Sequence, residues 1–136
     1  MSLLAWNDTY SVGVVELDND HKKLIALINA LFDAMRAQKG REIVGEILDG
    51  LVSYTAEHFA REERMFAKTA YPETAAHKVA HRALVQQVLD VQAKYKDGKI
   101  ATLSIELMKF LKRWLTDHIQ NEDKRYSAHL NGYGIR

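Results

Sequence analysis

Residues 51–62 of the chain read LVSYTAEHFARE. Leu51, Tyr54, His58 and Glu62 follow one another at intervals of three, four and four residues, which places their side chains on one face of an α-helix. That face is apolar at one end and carries an imidazole and a carboxylate at the other. Because a buried carboxylate is costly unless it is paired or bound to a metal, the segment predicts a helix that delivers polar groups to the protein core.

Histidines extend the apolar stripes of other segments in the same way. The pairs that share a predicted helix face are His21 with Leu24, His81 with Leu84, and His118 with Trp114, and His77 lies one turn before His81. These stripes repeat at three and four residues, which is the periodicity of helices and not of strands. We therefore expect four helices to direct imidazoles into one interior.

Long helices are favoured because the chain contains one proline and seven glycines. Four such helices with short connections predict an all-α fold, an up-down-up-down four-helix bundle with an extended N-terminal arm. The 136 residues suit a single domain over 1–136. The predicted boundaries are an arm over about 1–17, helices over about 18–38, 41–67, 72–96 and 101–118, and a C-terminal extension.

Local signals set these boundaries. Asp18 or Asp20 is expected to cap the first helix, Gly40 to end it, and Pro72 to lie in the first turn of the third. The residues expected to face the core are Trp6, Tyr10, Val12, Val14 and Leu17 of the arm, followed by Leu24, Ile25, Ile28, Leu31, Phe32, Met35, Ile47, Leu48, Leu51, Tyr54, Met65, Leu84, Val88, Val91, Leu103, Leu107, Phe110 and Leu111.

Composition excludes several functions. The chain has 19 Lys and Arg against 18 Asp and Glu, so a net charge of +1 offers no basic surplus for nucleic acid or anionic lipid. It has no cysteine, which rules out disulfides, thiolate metal sites, iron–sulfur clusters and cysteine nucleophiles. Neither an apolar run near 20 residues nor a targeting signal is visible. We expect a cytoplasmic protein without membrane insertion.

Five histidines and two carboxylates are predicted to converge in the core. A single histidine on an apolar face is usually a hydrogen-bonded core residue, but five of them would each need a separate partner. The set therefore favours a metal site, whereas His129 lies outside the pattern and is expected to be an ordinary surface residue. The candidate ligands are His21, His58, Glu62, His77, His81, His118 and Asp123.

Asp123 follows His118 by five residues. Five residues of an ideal α-helix turn through roughly 500°, which leaves Asp123 about 140° away from the direction of His118. Both can face one site only if the backbone widens into a π-type turn or the helix ends there.

Nitrogen and oxygen donors without thiolate suit iron, manganese, zinc or copper. Seven protein ligands are too many for one tetrahedral zinc ion. Two six-coordinate ions that share both carboxylates and one further oxygen would use all seven and leave one position open. That count favours a site for one small exogenous ligand.

The motifs together resemble those of the hemerythrin family, in particular its single-domain bacterial members. They are His21, HFARE over 58–62, HKVAH over 77–81 and HIQNED over 118–123, with Trp6, Tyr71-Pro72, Trp114 and Tyr126 around them. The resemblance covers nearly the whole chain and fills all seven ligand positions. One departure is Asp20, where many relatives carry Gln, and it bears only on capping or on contacts behind the ligands.

The resemblance implies reversible O2 binding at a non-heme di-iron centre. His77, His81 and His118 would hold one iron, and His21 and His58 the other, which keeps the open position and holds O2 as hydroperoxide. Glu62, Asp123 and an oxo or hydroxo group would bridge the two irons. The implied O2 pocket consists of Leu24, Phe59, Trp114, Leu115 and Ile119. The donor types permit manganese as well, and the resemblance alone chooses iron.

We expect a binding protein and not an enzyme: an O2 carrier, store or supplier, with a downstream O2-consuming protein as a candidate recipient. A lone domain without a signalling module favours this over an O2 or redox sensor. The alternatives are a di-iron oxidase, a peroxidase-type or nitric-oxide-handling enzyme, and an iron-storage module. Carboxylate-rich di-iron oxidases use Glu-x-x-His motifs, whereas here histidines dominate.

Overall fold

The structure is a computed structural model that describes residues 4–37, 41–98 and 105–136. Within these ranges the α-helices are α1 (Val15–Arg36), α2 (Arg41–Thr69), α3 (Thr74–Lys96), α4 (Ile105–Asp117) and α5 (Ser127–Gly132). A π-helical turn over His118–Glu122 and a 3-10 turn over Asp123–Tyr126 join α4 to α5. Helices α1 to α4 form the predicted up-down-up-down bundle, which confirms the all-α fold class.

The bundle is held together by the predicted apolar stripes. Helix α1 packs against α2 and α4, and α2 packs against α3. Leu24, Ile28, Leu51, Val88 and Leu111 are fully buried at these contacts, where removal of apolar surface from water favours folding. Eight predicted core residues are only half-buried: Trp6, Phe32, Met35, Ile47, Tyr54, Met65, Leu84 and Phe110. The predictions for Gly40, Leu103 and the side chain of Leu107 lie outside the described residues.

The first helix begins earlier than predicted. Helix α1 starts at Val15, so neither Asp18 nor Asp20 is its N-cap. The Asp18 carboxylate instead accepts hydrogen bonds from Ser11 Oγ at 2.6 Å and from the backbone N–H of Val12 at 2.8 Å. Asp18 therefore ties the N-terminal arm to the first turns of α1, and Asp20 is left free to face the bundle.

The arm lies along the bundle and is interrupted by one short turn. Residues Asp8–Tyr10 form a 3-10 turn, and the residues flanking it are extended. Tyr10, Val12 and Val14 are buried as predicted. Asn29, the polar residue within an apolar stretch of α1, exchanges two hydrogen bonds with the backbone of Leu4, at 3.0 and 2.7 Å. The position of Asn29 is thus explained by the arm that crosses it.

The connection between α2 and α3 starts later than the sequence indicates. Helix α2 continues to Thr69 and ends through Ala70, whose φ of 51° is left-handed. Pro72 lies in the turn before α3 and not in its first turn, since α3 begins at Thr74. The half-buried His129 donates a hydrogen bond from Nε2 to the carbonyl of Thr69 at 2.9 Å. His129 is therefore not the ordinary surface residue that was predicted, because it fastens α5 to the end of α2.

In the part of the chain that the structure describes, every helix is too short or too polar to cross a lipid bilayer.

Gly13 supplies the first testable prediction. Its φ is +72°, and a Cβ there would lie 3.0 Å from Ser127 Oγ and 3.1 Å from Asn131 Oδ1 of α5. We expect Gly13→Ala to lower the free energy of unfolding by about 1–3 kcal/mol, because a side chain in this left-handed conformation is strained. Urea unfolding followed by helical circular dichroism measures the change.

Gly132→Ala is the matched control, because Gly132 lies in α5 and a Cβ there would meet nothing within 4 Å. We expect the control to be unchanged or stabilised by up to about 1 kcal/mol. Equal stabilities of the two variants would contradict the role assigned to Gly13.

Candidate metal centre

All seven predicted ligands come together inside the bundle, and all are buried. They are His21 of α1, His58 and Glu62 of α2, His77 and His81 of α3, His118 at the start of the π-helical turn, and Asp123 at the start of the 3-10 turn. The helical spacing argument therefore correctly predicted that these side chains share one interior.

The donor atoms form two overlapping groups, each within 4.8 Å. One group consists of Glu62, His77, His81, His118 and Asp123, and the other of His21, His58, Glu62 and Asp123. The two carboxylates belong to both groups, and the histidines divide three to two. The division is the one that the resemblance implied.

Each carboxylate turns one oxygen to each group of histidines. Glu62 Oε1 lies 2.9 Å from His81 Nε2, and Oε2 lies 3.3 Å from His58 Nε2. Asp123 Oδ1 lies 2.8 Å from His118 Nε2, and Oδ2 lies 3.0 Å from His21 Nε2. Both carboxylates are therefore oriented as bridges between the two groups.

The hydrogen bonding of these atoms tests whether a metal would fit. Glu62 Oε1, both carboxylate oxygens of Asp123 and the Nε2 atoms of His77 and His81 are buried and accept or donate no hydrogen bond among the described residues. Such buried polar atoms are costly unless something compensates them. Several of these donor atoms lie only 2.9 to 3.5 Å apart, and each group fits within 4.8 Å, which is the crowding of donors expected around a metal ion. The residues present fit a pair of cations.

Electrostatics couples the carboxylates to the imidazoles. Burial alone would raise the pKa of Glu62 and of Asp123. The positive charge of His58 lowers the pKa of Glu62, and that of His118 lowers the pKa of Asp123. Together with the surrounding imidazoles, these charges hold both pKa values well below their usual range. Burial would lower the pKa of His58 and His77, but the two carboxylates raise it to about 10 for His58, aided by Asp20, and to about 9 for His77. Without a cation, protons on the imidazoles would compensate the carboxylates.

The backbone between His118 and Asp123 widens as the five-residue spacing predicted. Residues His118–Glu122 form a π-helix, and Asp123 begins a 3-10 turn. A π-helical turn holds more residues than an α-helical one, so the Asp123 carboxylate comes round to the side of His118. The prediction of an irregular helix at this point is confirmed.

Three residues behind the ligands are positioned by contacts that the sequence did not reveal. Asp20 Oδ2 accepts a hydrogen bond from His58 Nδ1 at 2.9 Å, and Glu63 Oε2 accepts one from His81 Nδ1 at 2.9 Å. The fully buried Tyr126 donates its hydroxyl to Glu62 Oε2 at 2.6 Å. Asp20 was expected to bear on capping or on contacts behind the ligands, and the structure shows the second of these. Spacing within one helix could not identify His58 as its partner across the α1–α2 interface.

An apolar pocket adjoins the group of two histidines. It is lined by Leu24, Phe59, Leu84, Trp114 and Leu115 together with His21, His58 and His118. Of the five pocket residues implied by the resemblance, Ile119 does not line it, although it is fully buried. Leu84 lines the pocket although the resemblance did not imply it. Its role could have been found from its position three residues after His81 on the third apolar stripe.

Aromatic contacts hold the pocket wall against the cluster. The Phe59 ring stacks on His81 with centroids 3.9 Å apart and meets His118 edge-on at 5.3 Å. The Trp114 indole donates a hydrogen bond from Nε1 to the carbonyl of Leu84 at 3.2 Å, which joins α4 to α3 beside the pocket. The wall and the imidazoles therefore fix each other's orientation.

Fold and donor set together define a metal-binding helical bundle. A sequence profile described as the hemerythrin HHE cation binding domain matches residues 12–130. The bacteriohemerythrin of Stenotrophomonas maltophilia is 36% identical over 98% of this chain and 88% of its own length, and that of Methylococcus capsulatus is 33% identical over 96% and 99%. A wild-type hemerythrin crystal structure superposes with a TM-score of 0.88 at 32% identity, covering 95% of this chain and 98% of that one.

This chain belongs to the hemerythrin family.

Proton-linked stability of the metal-free protein gives a second prediction. The folded-state pKa values of about 10 for His58 and about 9 for His77 exceed the unfolded value of about 6.5, so their stabilisation is complete below pH 6.5. That stabilisation is lost as the pH rises through 9 to 10. We therefore expect the free energy of unfolding of metal-free protein, measured with urea, to fall steadily from pH 6.5 to 10.

The metal-loaded protein is the control, because imidazole ligands are neutral and a metal replaces their protons. Its stability should change much less over the same interval. A metal-free protein whose stability stays constant or rises above pH 6.5 would contradict the coupling.

Proposed function

We propose that this protein binds O2 reversibly at a pair of non-heme iron ions and acts as a carrier, store or supplier of O2, not as an enzyme. The observation that carries the proposal is an apolar pocket against the smaller of two histidine groups that share both carboxylates. Membership of the hemerythrin family supports it. The proposal includes a single hemerythrin-like domain over residues 1–136 and a downstream O2-consuming protein as recipient.

The proposed ligands follow the two donor groups. His77, His81 and His118 would hold one iron, His21 and His58 the other, and Glu62 and Asp123 both. The group with two histidines supplies one nitrogen fewer, and both of its histidines line the pocket. This asymmetry supports an open position on the pocket side.

When bound, the iron pair supplies the reversible electron transfer that holds O2. The protein's own residues provide an environment that favours release of O2 over further reaction. Apart from three of the proposed ligand histidines, every residue that lines the pocket is apolar or aromatic. Among the described residues no separate general acid or base lines this space, and the buried side chains of Leu24, Phe59, Trp114 and Leu115 form its wall. Such a wall limits the delivery of protons, which favours binding over turnover.

Absorption spectroscopy tests the proposal directly. Iron-loaded, reduced protein is measured under argon, then in air, and then under argon again, with iron content determined in parallel. We expect two irons per chain and a visible charge-transfer band that forms in air and disappears when O2 is removed. Direct conversion to a ferric form, with no recoverable O2 adduct, would favour an oxidase or a redox sensor instead.

Leu115 gives a test of the pocket wall. Its side chain is 3% exposed and lines the pocket, so Leu115→Ala should admit water and protons and speed autoxidation several-fold. The rate is the loss of the O2 adduct followed by its absorption band.

Leu111→Ala is the matched control, because Leu111 lies one turn earlier on α4, is equally buried and does not line the pocket. Both variants should lose about 2–5 kcal/mol of stability, but only Leu115→Ala should autoxidise faster. Equal rates in the two variants would show that loss of stability, not access to the pocket, controls autoxidation.

A further inference from the structure

We propose that Asp20 is a positioning residue for the iron ion on the pocket side. Its carboxylate fixes the tautomer and orientation of His58 and strengthens the Nε2 atom as an electron donor. Asp20 would thereby lower the reduction potential of the iron pair and raise its affinity for metal. This inference rests on the proposed function, since it assigns His58 to a metal.

The two ring nitrogens of His58 face different partners. Nδ1 lies 2.9 Å from Asp20 Oδ2, whereas Nε2 lies 3.3 Å from Glu62 Oε2 and 3.0 Å from His21 Nε2, inside the cluster. An ionised carboxylate can only accept hydrogen bonds, so the proton of a neutral His58 must be on Nδ1. The lone pair of Nε2 is then left for a metal, and the ring cannot rotate without losing the contact with Asp20.

The surroundings of Asp20 are suited to a carboxylate and to no neutral residue. Besides the contact with His58, it accepts a hydrogen bond from the Tyr54 hydroxyl at 2.6 Å and two from Arg61 Nη1, each at 2.8 Å. These four bonds match the roughly four lone-pair sites of a carboxylate. The side chain of Asp20 is only 5% exposed, so an amide there would turn its NH2 group toward a donor without water to compensate.

The other histidine group has a similar contact between a carboxylate and a histidine Nδ1, but this carboxylate is more exposed than Asp20. Glu63 Oε2 accepts a hydrogen bond from His81 Nδ1 at 2.9 Å, but the Glu63 side chain is 31% exposed. Water screens the charge of Glu63 more than that of Asp20. The anionic contact should therefore act more strongly on the ion held by His21 and His58, which is the ion beside the pocket.

The direction of the effect follows from charge. An anion that pulls on the Nδ1 proton increases electron density at Nε2, and a more basic ligand favours ferric over ferrous iron. Arg61 and Tyr54 donate to the same carboxylate and oppose this pull in part. Removal of the Asp20 charge should therefore raise the reduction potential, and removal of the Tyr54 hydroxyl should lower it.

Asp20→Asn tests the inference with two measurements that do not depend on O2 binding. In iron-loaded protein we expect the midpoint potential to rise, with a tenfold shift toward the ferrous state corresponding to about 59 mV for one electron. In metal-free protein titrated with Co²⁺ alone, we expect binding to weaken about 10–100-fold.

Asp18→Asn is the matched control, because the Asp18 carboxylate lies on the same helix and also accepts two half-buried hydrogen bonds, but from Ser11 and Val12 and not from a histidine. It should lose stability while its potential and Co²⁺ affinity stay close to those of the unmodified protein.

Tyr54→Phe retains the Asp20 carboxylate and folds with one hydrogen bond fewer. It should lower the reduction potential, which is the direction opposite to that expected for Asp20→Asn.

Opposite shifts in Asp20→Asn and Tyr54→Phe would support the inference. An Asp20→Asn protein with unchanged potential and unchanged Co²⁺ affinity would overturn it, and so would shifts of the same sign in both variants, since these would reflect disturbed packing. Failure of the unmodified chain to bind two irons would instead remove the proposed function, which the iron content of that sample shows separately.

Discussion

The structure depends on the burial of two carboxylates that face two groups of imidazoles. Glu62 and Asp123 are fully buried, and each directs one oxygen to each group. In an apolar core their charge must be compensated by protons or by cations. This need explains why α1, α2, α3 and the turns that follow α4 all contribute donors to one cluster, and why the segment after α4 departs from α-helical geometry.

The bundle and the cluster form one cooperative unit. Phe59 stacks on His81, Trp114 bonds to the backbone of α3, and Tyr126 donates to Glu62 from the C-terminal segment. Residues that close the pocket thus also orient the donors. Apolar packing excludes water from the cluster, and the low dielectric that results strengthens every charge interaction within it. Substitutions in this region should rarely affect packing or electrostatics alone.

Sequence spacing could predict what lies along a single helix. The intervals from Leu51 to Glu62 predicted a shared face, and the five residues from His118 to Asp123 predicted a distorted turn, since both are properties of local backbone geometry. Contacts between elements distant in sequence left no such signal. Asp20 meets His58 across 38 positions, and His129 meets Thr69 across 60, so their roles became visible only in three dimensions. The start of α1 was misplaced for a related reason, because Asp18 bonds to the arm.

The π-helical turn also changes the direction in which the following residues point, relative to the residues of α4. Up to its first residue, Leu111, Trp114, Leu115 and His118 face the core, and after it Asp123, Tyr126 and Leu130 do so at intervals of three and four. In one uninterrupted α-helix Asp123 would point about 140° and Tyr126 about 80° away from the direction of His118. The one additional residue in the π-helical turn therefore allows a continuous segment of chain to face the core both before and after the turn.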